Sequence, residues 1–371
     1  MSRLIWIKND FITKELYAPY AVEKDENYYD DLNKKYRILL ERAIKAGADE
    51  KSIKIIRKYS GKVKESIRLY YDGNISKAYN IIKNLIKGCE ENKFAVNNVI
   101  NSDAFPGVKG KEIQFFRARL SENILKYKAE EMLHLPFPMR GKTGNYRFSI
   151  PGLPSLYLGN SSYACWIELG CPPEHKFNVS PVILEGEQKI FNLAVMSRNW
   201  TRLSELEEEK VYCWLKLLVL MMATSYIIKE EGRIFKSEYI VSQNVMLACK
   251  ELGYDGIAYF SKRVTDEVFA YAAINLALFA PYQKKKKYSE VCEHIKIDDS
   301  FNYSMYKQLG RADREYLYEL RLSESGIPTN IGEYREGRQF QYLMTEFGAF
   351  DKFLFSTWEE KDKIEWGNAL K

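Results

Sequence analysis

Histidine is scarce in this chain: His134, His175 and His294 are the only three among 371 residues. So few leave little room for a Ser-His-Asp hydrolase. All three lie beyond the helical first third, so that segment lacks the Arg/His pair that some small helical ribonucleases use. Cysteine numbers six with no Cys-x-x-Cys pair, which argues against both a disulfide scaffold and a structural zinc module. Cys171 and His175 stand four apart with no second pair to complete a metal site. No Gly-x-Gly-x-x-Gly follows a strand-like run, so a Rossmann site is not indicated. Gly141-Lys142-Thr143 imitates the end of a P-loop, but Pro136 stands where the loop needs its first glycine. The beginning, MSRLIWIKNDF, has no long apolar core, and a cytoplasmic protein is expected.

One apolar run, Val211 to Ile228, approaches the ~20 residues that a bilayer requires. It carries Lys216, and an acidic run from Glu205 to Glu209 precedes it, so a buried helix of a soluble domain is expected and no membrane contact. With 46% apolar, 14% aromatic and 29% charged residues, what remains is a globular composition with enough length for two or three units.

The net charge of +6 comes from residues 1 to 110, with 21 Lys/Arg against 15 Asp/Glu. Lys51 to Arg68 holds seven basic residues against Glu65 alone, which raises a nucleic-acid-binding alternative. Helical spacing is the simpler reading, with Ile53, Ile55, Ile56, Tyr59 and Val63 inward and the lysines in water. Helices are predicted over Tyr28–Lys45, Ser52–Tyr71 and Ile75–Cys89, with Gly47 and Asp72-Gly73-Asn74 between them. From about Lys111, strand-like runs (IQFFRARL, RFSIPGLPSLYLG, SPVILEGEQKIFNL, GIAYFS and INLALFAP) alternate with turns. Helices over Ser204–Glu230 and Ser237–Leu252 interrupt them. The class is α+β. The expected division is a helical domain at 1–110 for regulation or partner docking, a mixed domain at 111–283 that holds the candidate site residues and an extension at 284–371.

Four segments carry the unusual residues. Arg117 and Arg119 lie at i and i+2 of a strand-like run, hence on one face. Arg147 opens a Pro/Gly turn into the short strand ending at Tyr157-Leu158-Gly159. Ser161-Ser162 can cap a helix carrying Glu168 among Cys165, Trp166, Ile167 and Leu169. A carboxylate in such surroundings needs a partner, and an arginine is expected. Gly253-Tyr254-Asp255-Gly256-Ile257-Ala258-Tyr259-Phe260-Ser261 ends a strand on a hydroxyl, and Asn275 follows with Phe279 four residues on.

In this order, over roughly Phe115 to Pro281, these segments resemble the RES domain, a family named for its Arg, Glu and Ser. Arg147 to Glu168 is the most specific piece, although Ser149 stands where Asn is usual and Tyr163-Ala164-Cys165 replaces Glu-Thr-Ala. The resemblance implies an ADP-ribosyltransferase-like split-sheet domain preceded by an all-α domain, with Arg117, Glu168 and Ser261 as the name-giving trio. Arg119 competes with Arg117 for the first place. Characterised members degrade NAD⁺, some by phosphorolysis, and others transfer ADP-ribose to a protein. Many are toxins neutralised by an antitoxin.

The residues fit such chemistry. Breaking the N-glycosidic bond of NAD⁺ leaves positive charge on the ribose, which Glu168 could stabilise. Arg117, Arg119 and Arg147 are candidates to grip the pyrophosphate. Tyr157 could meet the nicotinamide side. Ser261 would orient by hydrogen bonding, and Asn275 would tie strands together more than touch ligand. The expectations are an NAD⁺ glycohydrolase or phosphorylase acting as a bacterial toxin or anti-phage effector, no metal or resident cofactor, and an antitoxin, sensor protein or second copy as partner. Mono-ADP-ribosylation of a macromolecule and non-enzymatic nucleic-acid binding are the alternatives.

Overall fold

The structure is a computed structural model. It describes residues 6, 12–24, 27–90, 96–98, 113–122, 126–186, 188, 189–194, 208–230, 232–264, 273–309, 330–335, 338–342 and 345–357. The helices in chain order are α1 (Tyr28–Lys45), α2 (Glu50–Tyr71), α3 (Ile75–Glu90), α4 (Ser162–Glu168), α5 (Glu208–Ala223), α6 (Ile240–Glu251), α7 (Tyr303–Gln308) and α8 (Glu346–Ser356). The strands are β1 (Tyr20–Ala21), β2 (Val96–Asn98), β3 (Ile113–Leu120), β4 (Ser155–Gly159), β5 (Phe177–Leu184), β6 (Lys189–Asn192) and β7 (Tyr226–Ile227). They continue as β8 (Gly256–Phe260), β9 (Ile274–Phe279), β10 (Ile295–Ile297), β11 (Phe301–Asn302), β12 (Asn330–Arg335) and β13 (Arg338–Gln341).

The chain forms two compact units that are discontinuous in sequence. One comprises Met1–Asn97, Asn145–Ile150 and Lys189–Ile257; the other comprises Asn98–Gly144, Pro151–Gln188 and Ala258–Lys371. Cuts at 110 and 284 differ from this division, because 145–150 and 189–257 return to the helical unit. Position 110 itself lies outside the described residues.

The helical unit is built on amphipathic stripes. Leu32, Tyr36, Leu39 and Ala43 of α1 and Ile56, Tyr59, Val63 and Ile67 of α2 are buried at three- and four-residue spacing. The Asp49 side chain caps α2, accepting from the Ser52 amide at 2.9 Å. Lys51, Lys54, Arg57, Lys58 and Lys62 are exposed, so most of the basic run faces water. The apolar run is largely buried α5, tied to α1 by Tyr36 Oη donating to Val219 O and Tyr28 Oη to Ala223 O, both at 2.8 Å. Among the described residues no helix is long and apolar enough to cross a membrane. The predicted helix to Glu230 ends early, at Ala223. The Thr224 hydroxyl donates back to Leu220 O at 3.1 Å, and Tyr226 then pairs in parallel with Tyr20. Ser204 to Glu207 lie outside the described residues.

In the second unit the strand order is β10-β5-β3-β4-β9-β8, with β11 also on β5. The pairs β10–β5, β3–β5, β3–β4 and β4–β9 are antiparallel. β3 pairs along its whole length with β5, whereas its ladder with β4 is the single pair Phe116–Gly159. An apolar cluster joins Phe116, Ala118, Cys165, Phe177 and Val179 to Tyr303, Tyr306, Phe350 and Leu354. The residues beyond 284 therefore contribute to the core of this unit.

Candidate functional site

The site grows from the junction of β4 and α4. A Cβ on Gly159 would meet Cys165 Sγ at 2.9 Å, Ser161 O at 3.0 Å and Ala164 Cβ at 3.1 Å. Only glycine lets the helix press so closely on the end of the strand. Ser161 caps α4, its hydroxyl accepting from the Ala164 amide at 2.9 Å. Asn160 continues the β4–β9 ladder, its amide donating to Ile274 O at 2.9 Å and its side chain accepting from the Ile274 amide at 3.0 Å.

Glu168 is the last residue of α4 and is half-buried. Its Oε1 accepts from Asn275 Nδ2 at 2.6 Å. The expected arginine is replaced by an amide, which fixes the carboxylate without neutralising its charge. Asn275 is buried on β9 opposite Gly159, so β4 places no side chain across from it. Tyr157 lies opposite Ala277 and, by strand alternation, on the same face as Asn275.

Arg117 and Arg119 share the other face of β3, opposite Ser180 and Asn178. Past the Phe116–Gly159 pair the β3–β4 ladder opens, and there Arg117 Nη1 donates to Tyr157 O at 2.9 Å. The Cys165 thiol feels charges from both faces. Burial pushes it up to about 12, the Arg117 guanidinium opposes that shift, and the Asp351 and Glu168 carboxylates reinforce it. The thiol donates to Phe116 O at 3.3 Å and is no nucleophile. Arg119 turns to the chain's own backbone, Nη2 donating to Leu133 O at 3.0 Å, and burial lowers its pKa.

His134 is fixed as a neutral ring. Its Nε2 accepts from the Ser289 amide at 3.0 Å, which leaves Nδ1–H to donate to Leu135 O at 2.8 Å. Burial, with the Arg117 charge adding to it, pushes the imidazole down to about 4. It supplies structure, not base catalysis.

Ser261 is buried at the end of β8. Its amide donates to Ala273 O at 2.7 Å, and its hydroxyl accepts from the Arg263 amide at 3.3 Å. Arg263 escaped the sequence reading. Its exposed side chain runs to the end of α4, with Nη1 3.5 Å from where a Cβ on Gly170 would lie. The sequence signal was a guanidinium two residues after the serine. Arg147 belongs to the helical unit, where its guanidinium donates to Thr224 O and, at 2.7 Å, to Tyr226 O. It also lies over the Tyr239 ring at 5.4 Å. This holds the turn, and its donors on these carbonyls are taken from the expected phosphate clamp. The second unit thus carries Arg117, Arg119, Tyr157, Glu168, Ser261 and Asn275, with both arginines on the sheet face opposite to Tyr157 and Asn275, and Arg147 lies in the helical unit.

Among the described residues, no group of three or more His, Cys, Asp or Glu could hold a metal ion.

No family model matches the chain. It is 28% identical over 326 residues to a Bacillus subtilis (strain 168) protein described as "Putative toxin YopC", covering 82% of this chain and 70% of that protein. A chain in the crystal structure of the M. tuberculosis MbcT-MbcA toxin-antitoxin complex matches with a TM-score of 0.31 and 11% identity, over 62% of this chain and 96% of that one.

Proposed function

We propose that the second unit cleaves the nicotinamide N-glycosidic bond of NAD⁺ and that the protein acts as a toxin. The observation that carries this reading is the Glu168 carboxylate, held by Asn275 at 2.6 Å at the end of a short, tightly seated helix. The toxin description of a relative 28% identical over most of this chain supports the biological role. The RES-like order of the Arg, Glu and Ser segments supports the substrate.

In this mechanism the C1′–N bond breaks and its electron pair leaves with neutral nicotinamide. Glu168 stabilises the oxocarbenium ion that remains on the ribose. Water or phosphate adds at C1′, and a proton passes to solvent. Asn275 keeps the carboxylate in one rotamer, so no reorganisation is required as charge develops. Arg117, at the opening beside β4, and Arg263, at the end of α4, supply positive charge for the pyrophosphate. Tyr157 offers its ring on the Asn275 face. The protein works in the cytoplasm, where NAD⁺ is available, and an antitoxin or sensor restrains it, with the helical unit as docking platform.

The test is product analysis of NAD⁺ incubated with the purified protein, with and without phosphate. Nicotinamide should appear with ADP-ribose or its phosphate. Label transferred from NAD⁺ to a macromolecule, with little free ADP-ribose, would convert the reading to ADP-ribosylation. Intact NAD⁺ in every condition refutes it.

A further inference from the structure

α4 has only seven residues, too few to be stable as an isolated helix. Its geometry therefore depends on what holds it. Gly159 and Ser161 fix its start, and Asn275 meets its last side chain. A further contact comes from far outside the RES-like segment.

Asp351 on α8 is buried, 8% exposed, and its Oδ1 accepts from the Ser162 amide, the first of α4, at 3.0 Å. Its Oδ2 accepts from Tyr342 Oη at 2.6 Å. A carboxylate removed from water in this way is costly unless it is hydrogen-bonded, so the contact is specific rather than incidental. Side chains of α8 extend the hold along the helix. Phe347 packs against both Tyr163 and Trp166 of α4 with centroids 5.4 Å apart, and Phe350 and Leu354 share a cluster with Cys165.

We infer that Asp351 is a positioning residue for Glu168, and that the chain beyond residue 284 is a working part of the site. The catalytic half of this inference rests on the function proposed above. Ser162 and Glu168 are six residues apart, about 9 Å along a helix, so a tilt at the amide end moves the carboxylate end. Misplacing a catalytic group by about 1 Å can cost on the order of a hundredfold in rate.

The experiment uses the full chain with Asp351→Ala, Asp351→Asn, Ser162→Pro and the Ala/Pro double variant. Asparagine keeps an oxygen acceptor for the Ser162 amide. Proline at the first helical position is compatible with the helix and deletes the N–H donor, together with the buried Ser162 hydroxyl beside Tyr342. Two readouts are taken: kcat and KM for NAD⁺, and hydrogen exchange of the 162–168 amides. Asp351→Ala should lower kcat by about tenfold or more with KM within about twofold, and should speed the exchange. Asp351→Asn should recover most of both. Ser162→Pro should match Asp351→Ala, and the double variant should be no worse than either. Unchanged exchange in Asp351→Ala overturns the proposal, as does an additive double variant. Faster exchange in Asp351→Ala from a chain whose wild-type form leaves NAD⁺ intact upholds the clamp and overturns the substrate assignment.

Discussion

The two units spend their polar groups differently. In the helical unit the charges lie mostly outside, as in the Lys62–Glu65 pair, or close on one another, as where Arg233 Nη2 meets buried Glu238 at 2.7 Å. Its tyrosines donate to helix carbonyls and Arg147 to the carbonyls of a turn, so polarity there serves to join elements. In the second unit Ser161, Ser162, Asn275 and Asp351 are buried around one short helix and one glutamate. Polarity concentrated on so little backbone is costly unless it is hydrogen-bonded, and the bonds that satisfy it also fix a geometry. The same residue type therefore has different work in the two places: Arg147 pins a turn, while Arg117 sits at the opening of a ladder.

Substitutions can break this contrast, and the largest effect is expected at α4. Gly159→Ala puts a methyl where Cys165 Sγ would lie at 2.9 Å, so the helix must shift. NAD⁺ cleavage should fall about a hundredfold while melting changes little by comparison, measured by nicotinamide release beside a thermal scan. An effect on melting alone would mean that the seat of α4 is structural.

Next comes acid. The unfolded chain protonates His134 below about 6.5, whereas the fold refuses that proton until about 4. Its contribution to stability is complete above 6.5 and is lost as pH falls from 6.5 through 4, by about 3 kcal/mol at most. Urea melts across that range should show the slope, and His134→Gln should flatten it.

Arg147→Ala leaves two carbonyls of the helical unit without their donor and should cost about 2 kcal/mol in urea unfolding. KM for NAD⁺ should stay within about twofold, and a large rise would return Arg147 to the phosphate clamp. Lys62→Ala, at an exposed pair, should change stability by no more than about 0.5 kcal/mol in the same assay.

How much of this was legible followed from the range of each interaction. α1 matches its prediction and α2 and α3 lie within two residues of theirs, because an amphipathic period is local. α5 overran its true end because it is apolar on nearly every side, so no stripe marks where it stops. The strand over 113–120 and the cap at Ser161 were legible from alternation and from a Ser pair before an apolar run. The amide that holds Glu168 stands 107 residues away, and the carboxylate at Ser162 stands 189 away. Neither spacing has a local signature. The same limit hid the return of 145–150 and 189–257 to the helical unit, since composition changes along a chain do not record which segments meet.

The most direct measurement is single-turnover release of nicotinamide from NAD⁺ by the wild-type chain and by Glu168→Gln, each shown to melt alike. The expected result is release by the wild type and a rate lower by about a thousandfold in the variant. Equal release from both would contradict it, because the carboxylate at the end of α4 would then play no part in breaking the bond.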